Sequence, residues 1–369
     1  MDRERIYNFA AGPSMLPLEV LERAQAELLC YGDTGMSVME LGSDSPEFKQ
    51  ILQDAEDGLR KLMNIPGNYK ILFMQGGASS QFAAIPMNLL SSHQCADYVL
   101  SGQVSKKAYD EAKKYGDIVI AASSGGASPP YSTVPVTKRS DFRPDADYVH
   151  ICYNNTVYGT KFHYAPDTGN IPLVADMTSC ILSEPIDVTK FGLIYAGAEV
   201  NVAPAGITVV IVRSDLIGGA RPDTPSTLDY KKLVDNTSAY DSTSIWCIYM
   251  AKLVFEWILS IGGLDEMKRR NEKKASLLYD YLDGPGDYYT SPVDKKCRSM
   301  MNVAFHTWDG ELDKKFIKEA AEHGLINLAG NAGVGGMCAS LYNSMPYEGV
   351  ELLIKFMKEF VKNNPKITK

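Results

Sequence analysis

Apolar residues recur at helical spacing in PLEVLERAQAELLCY, residues 17–31, with Pro17 near the helix start, and again from Pro46 to Ile65, where Pro66-Gly67 ends the run. The period then changes. YKILFMQGG, residues 69–77, is a short apolar strand running into glycines, and SSQFAAIPMNLL, residues 79–90, returns to a helix. Alternation continues along the chain. ADYVLSG is a strand and SKKAYDEAKKYG a helix, while DIVIAAS, YVHICYN, PLVADM, GLIYAGA and ITVVIVR are further strands. Apolar strands alternating with helices predict a mostly parallel sheet covered on both faces. Residues 122–140 are rich in Ser, Gly and Pro and read as a loop that resists burial.

A long apolar helix is expected from Ser244 to Leu259, with Gly262-Gly263 breaking it. The next helix, LDEMKRRNEKKASLLYDYLDG, carries a charged face that reads as solvated. The remaining segments are strand-like MNVAFHTW, helical ELDKKFIKEAAEHG, strand-like MCASLYNS and helical GVELLIKFMKEFVK. Together they predict a second, smaller α+β domain. At roughly 100–200 residues per domain, 369 residues make two or three domains.

Charge changes this picture little. Lys and Arg number 37 against 45 Asp and Glu, a net charge of −8, and no dense basic block occurs. Nucleic acid and anionic membranes are therefore poor partners, and a small molecule is expected instead. The seven cysteines form no CxxC pair or Cys/His ligand spacing, so no metal site is expected. No apolar run approaches the ~20 residues of a membrane span, and the N-terminus has no signal-peptide pattern. A cytoplasmic location with reduced thiols follows as the expectation.

Two local features point to chemistry. In MQGGASSQF, glycines between a strand and a helix let backbone N–H groups approach an anion, although a plain turn explains the same residues. Asp176 ends the strand PLVAD, where ligands bind in open α/β sheets, although it fits equally well as a cap.

Taken together, YNFAAGPSMLP, GMSVMEL, LFMQGGASSQFAAIPMNLL, PLVADMTS, PIDVTKFGLIYAGA, PAGITVVIVR, LDY and GGMCASLYNSMP resemble the phosphoserine aminotransferase family in order and spacing, from residue 7 to residue 346. The resemblance implies an α/β, fold-type I aminotransferase-like fold. A large domain (17–262) would carry a mainly parallel seven-stranded sheet, and residues 1–16 with 263–369 a smaller α+β domain. It also implies a homodimer with sites at the interface, and transfer of an amino group between glutamate and 3-phosphohydroxypyruvate on pyridoxal phosphate (PLP) held by a lysine.

Carried over position by position, Gly76, Gly77, Ala78 and Ser79 match the family's phosphate loop. Thr156 matches the contact to the ring hydroxyl, Asp176 the partner of the pyridine nitrogen, and Asn201 also matches. Other positions depart. The family's AGAQKN reads AGAEVN here, so Val200 stands at the lysine and Glu199 at a glutamine that donates to the phosphate. Ser43 and Asp44 replace a His-Arg pair. Asn331 and Ala332 replace another, and Cys338 replaces an arginine. Val104 takes the place of the stacking aromatic, and Asp241-Ser242 that of the neighbouring subunit's Asn-Thr. Asn155 replaces an acid and Tyr158 a histidine.

Because valine can form no Schiff base, and because added acids repel a phosphate dianion, three outcomes are open. The first is a PLP-independent enzyme or binder for a neutral or cationic ligand, needing no cofactor, with Asp176, Glu199, Cys180 and Tyr158 as catalytic candidates. The second is a non-catalytic pseudoenzyme acting as a dimer partner. The third is a phosphoserine:2-oxoglutarate aminotransferase with an unusual site, using another lysine such as Lys161 or Lys190. The sequence favours the first. His150 and His163 read as structural or surface residues.

Overall fold

Seven strands form the central sheet of the protein, seen in a computed structural model that describes residues 5–236 and 244–366. They are β1 (Tyr69–Gln75), β2 (Cys95–Leu100), β3 (Asp117–Ser123), β4 (Tyr148–Cys152), β5 (Leu173–Asp176), β6 (Leu193–Gly197) and β7 (Ile207–Arg213). Their order across the sheet is β1-β7-β6-β5-β4-β2-β3. All run parallel except β7, which is antiparallel to both neighbours. The expected α/β, fold-type I, mainly parallel seven-stranded sheet is present. Strands β2, β4, β5 and β6 are buried along their whole length, which is why they read as unbroken apolar runs.

Helices cover the sheet: α1 (Leu18–Ala26), α2 (Pro46–Met63), α3 (Gln81–Leu89), α4 (Gln103–Ala112), α5 (Tyr230–Asp235) and α6 (Ile245–Ser260). Helix α2 starts where the Ser45 hydroxyl accepts from the Phe48 N–H at 3.1 Å, with Pro46 in the first turn, and ends at Asn64 in the left-handed conformation. The apolar α6 packs on α2 and is buried on most of its surface. A Cβ at Gly58 would lie 3.2 Å from Phe255 Cβ, so the glycine permits that close approach.

Two local expectations change. The first helix stops at Ala26, because the chain turns there and the Glu27 carboxylate accepts from the Tyr249 hydroxyl on α6. The loop after β3 is partly buried, at Ser124, Ser132 and Val134. Its backbone is satisfied internally, with the N–H groups of Ala127 and Tyr131 both donating to the Ser124 carbonyl at 3.1 Å.

After α7 (Gly263–Leu282) the chain builds an antiparallel sheet, β8 (Tyr289–Thr290), β9 (Asn302–Thr307) and β10 (Met337–Ser340), with α8 (Gly310–Glu322) and α9 (Tyr347–Asn363) beside it. A separate core forms here around Phe305, Phe316, Leu353 and Phe360, and Phe9 from the N-terminal segment joins it. Tyr7–Asn8 pairs in parallel with Leu325–Ile326. No single helix among the described residues is long and apolar enough to cross a membrane.

Candidate active site

Parallel strands bring their C-terminal ends to one edge of the sheet, and the Gly76–Ser79 loop, Asp176 and the Glu199–Asn201 turn follow strands that end there. Gly76 leaves β1 at φ +99°, a conformation that favours glycine. Its N–H donates to the Gly206 carbonyl at 2.9 Å, and its own carbonyl accepts from the Thr208 hydroxyl at 2.9 Å, so the loop is fixed to the start of β7. Among the described residues the N–H groups of Gly77, Ala78 and Ser79 have no acceptor, and the turn Ala78–Ser80 leads directly into α3. This leaves a short row of open donors at a helix entrance.

Asp176 ends β5 and is 3% exposed. One carboxylate oxygen accepts from the Thr178 N–H at 2.9 Å, and the Tyr195 hydroxyl is near enough to favour the charged carboxylate. Burial pushes its pKa up, the Thr178 and Tyr195 hydrogen bonds pull it back, and the nearby Glu199 adds a smaller upward push. Tyr195 in turn meets His150 Nε2 at 3.0 Å, and that imidazole stacks on Tyr98 with centroids 4.6 Å apart. Burial lowers the His150 pKa to about 3, so the ring is neutral and structural, as its sequence setting predicted. Thr178 and Tyr195 were not singled out from the sequence. A threonine two residues after an aspartate was the available signal for one, whereas a strand tyrosine carries none.

The segment after β6 holds Glu199, Val200 and Asn201. Ser14 N–H donates to the Glu199 carbonyl at 2.9 Å and the Ser14 hydroxyl to the Val200 carbonyl, so the N-terminal segment lies across this turn. Val200 is 4% exposed and packs with the large core. The Glu199 carboxylate folds back over Gly197, where an added Cβ would sit 2.6 Å from it. Asn201 is buried, donating to the Ile181 carbonyl at 3.0 Å and accepting from the Asn343 N–H at 3.1 Å.

Gly102 brings the next loops together, since a Cβ there would lie 2.8 Å from Asn155 Oδ1 and 3.1 Å from the Tyr158 ring. Val104 follows in the first turn of α4, half-buried. From β10, Cys338 Sγ reaches the Thr156 carbonyl at 3.8 Å. The loop carrying Asn331 approaches α4 through Gly333 and Gln103.

Several expected roles do not survive this geometry. Burial pushes the Cys180 and Cys338 thiols up to about 12, so neither supplies a thiolate nucleophile at neutral pH. The Asn155 amide is committed, accepting from Ser101 and donating to the Thr160 hydroxyl, both at 3.1 Å. Tyr158 packs against Tyr131 at 4.9 Å, and burial raises its pKa, which disfavours it as a base. Asn331 is exposed, its side chain capping the Gly333 N–H at 3.0 Å. Lys161 is buried and paired with Glu184, and Lys190 lies on an exposed turn. Ser43 and Asp44 precede α2, and among the described residues neither bonds to the strand-end cluster. Asp241 and Ser242 lie outside the described residues.

The sequence pattern of the class-V aminotransferases matches residues 6–353. The phosphoserine aminotransferase of Nitrosomonas europaea is 50% identical over 368 residues, covering 98% of this chain and 99% of the relative. Among solved structures, the phosphoserine aminotransferase of Bacillus circulans subsp. alkalophilus superposes with a TM-score of 0.94 at 45% identity, covering 98% and 99% of the two chains. A PLP-bound phosphoserine aminotransferase from Trichomonas vaginalis does so with a TM-score of 0.90 at 37% identity, covering 96% and 100%. This continuous similarity overturns the expectation of a PLP-independent binder or a non-catalytic pseudoenzyme, and with it the expectation that no cofactor is used. The substitutions around Val200 are local, and the rest of the chain stays with the aminotransferases.

Proposed function

The chain belongs to the class-V aminotransferases and, within them, to the phosphoserine aminotransferase family, and from this we propose that it transfers an amino group between phosphoserine and 2-oxoglutarate with PLP. One observation carries the fit to the cofactor: the open N–H groups of Gly77, Ala78 and Ser79 stand at the same sheet edge as the buried Asp176 carboxylate. The N–H row is a cradle for the PLP phosphate, and Asp176 is the partner for its pyridine nitrogen. When bound, PLP supplies the electron sink that lets the substrate's amino group and adjacent proton depart.

The chain's own residues then set position and charge. Thr178 and Tyr195 hold the Asp176 carboxylate, so the ring would be oriented by a fixed anion. Thr156 and Asn201 are read as the remaining contacts on either side. We read Val200 as occupying the place of the family's tethering lysine. It offers no nitrogen to carry the substrate proton, so that transfer is slow in this chain. The homodimer is also part of this reading. It is supported by Met36 and Met39, which are exposed on the stretch that leads to Ser43 and Asp44.

The test is glutamate formation from phosphoserine and 2-oxoglutarate, with and without PLP. Slow, PLP-dependent product formation is expected, and none at saturating PLP defeats the reading. Glu199→Gln removes a half-buried carboxylate from beside the phosphate cradle. With partial screening this amounts to about 1 kcal/mol, or roughly fivefold tighter PLP binding by fluorescence titration. Unchanged affinity means that Glu199 does not face the phosphate.

A further inference from the structure

A cavity of about 580 Å³ is lined by Asn343, the partner of Asn201, and by none of Asp176, Thr178 and Tyr195. Its walls are the N-terminal segment, α7, the end of α6 and the loop into α9. These elements are far apart in sequence, yet together they contribute an excess of positive charge. Arg5, Arg269, Arg270, Lys273 and Lys274 line the cavity, against two lining carboxylates, Glu19 and Glu348. A third carboxylate, Glu266, is held by both arginines of α7, through Arg269 Nε at 2.7 Å and Arg270 Nε at 2.8 Å.

Part of their hydrogen-bonding capacity stays free, on Lys273 and Arg270. Lys274 spends its ammonium protons on the carbonyls of Leu341, Tyr342 and Met345, at 3.0, 2.7 and 3.0 Å, and so offers no donor to the cavity. Burial lowers its pKa to about 7. Lys273 instead places its Nζ 4.0 Å over the Tyr347 ring at the cavity rim, with no carboxylate partner among the described residues. The Arg270 guanidinium bonds to Glu266 through Nε, leaving its terminal N–H groups for another acceptor. Trp257 adds an aromatic wall, and its buried indole N–H has no partner among the described residues.

A concave space of this size, with converging Arg and Lys donors and aromatic sides, is suited to a small anion of high charge density. We propose that this cavity is a second ligand site, separate from the cofactor cradle, for a small multiply charged anion, either a phosphate ester or a polycarboxylate. The site does not depend on PLP or on the transamination reading.

The experiment is calorimetric titration of the full chain with inorganic pyrophosphate and, separately, with citrate, at low ionic strength, where exposed charges are least screened. Because the Gly77–Ser79 loop is itself an anion cradle, Gly77→Glu is tested alongside. No atom lies within 4 Å of a Cβ at Gly77, so that variant keeps its fold while closing the cradle. Saturable binding that persists in Gly77→Glu and weakens at least about tenfold in Arg270→Glu/Lys273→Glu supports the proposal. Both charge-reversed side chains are exposed, so the double variant also folds, and circular dichroism checks this. Pyrophosphate binding alone assigns a phosphate ester, and citrate binding alone assigns a polycarboxylate. No binding of either probe, or binding lost in Gly77→Glu and retained in the double variant, overturns it.

Discussion

Val200→Lys is expected to form a borohydride-reducible covalent link with PLP and to raise glutamate formation by about 10²–10⁴-fold, the usual range for a positioned acid–base group. The backbone at this position is held on both sides. Ser14 binds the carbonyls of Glu199 and Val200, and Val200 Cγ2 lies 3.7 Å from where a Cβ on Gly12 would sit. A side chain at 200 therefore starts from a fixed point with the Gly12 turn closed to it. Enlarging a buried residue costs about 1–3 kcal/mol, so a lower melting temperature is expected with the gain in rate. Val200→Met provides the control, having similar length and no amine. It should show neither the link nor the gain. A folded Val200→Lys protein that yields no reducible adduct by mass spectrometry would mean that position 200 does not face the cofactor.

Asp176→Asn is expected to act in opposite directions on binding and on stability. The carboxylate is buried and its pKa is raised by desolvation. A carboxyl whose folded pKa lies above its unfolded value contributes stability that is fully present below the unfolded pKa. That contribution is lost as pH rises through the folded pKa. Above its raised folded pKa the ionised Asp176 is therefore a cost to the cofactor-free protein, and the neutral amide removes it. The melting temperature of cofactor-free Asp176→Asn should exceed that of the parent increasingly as pH rises through that pKa, and the difference should shrink toward pH 3. Affinity for PLP should fall by about 10–100-fold, since a hydrogen bond to a charged group contributes about 1.5–3 kcal/mol. A variant that binds PLP as the parent does would remove Asp176 from the cofactor site.

The elements of this fold are legible in the sequence wherever burial is uniform. Strands β4, β5 and β6 are covered on both faces, so apart from His150 and Asp176 their positions are apolar, aromatic or small and the run announces itself. The end of α1 is not legible, because it depends on Glu27 meeting Tyr249, 222 residues away. The site divides in the same way. Asp176 and the Gly76–Ser79 loop could be picked out because each sits at a strand end, a place defined by local pattern. Cys180, Asn155 and Cys338 were picked out by residue type and motif position. Their roles changed once burial raised the thiols and the Ser101 and Thr160 hydroxyls engaged the amide. The cofactor is illegible at position 200 for a related reason, since a single valine there says less than the family pattern spread over residues 6–353.

By itself the sequence determined the alternation of strands and helices, the order of the motifs and the valine at position 200. These are properties of neighbouring residues, and local sterics and hydrophobic period are enough to specify them. The tertiary structure decided which polar groups share a dielectric environment. It left the Asp176 carboxylate at 3% exposure beside Thr178 and Tyr195, and closed the Asn155 amide among hydroxyls. It also set Arg5 with Lys273 around one cavity. Solvation and electrostatic energy depend on distance in space, and only packing determines that distance.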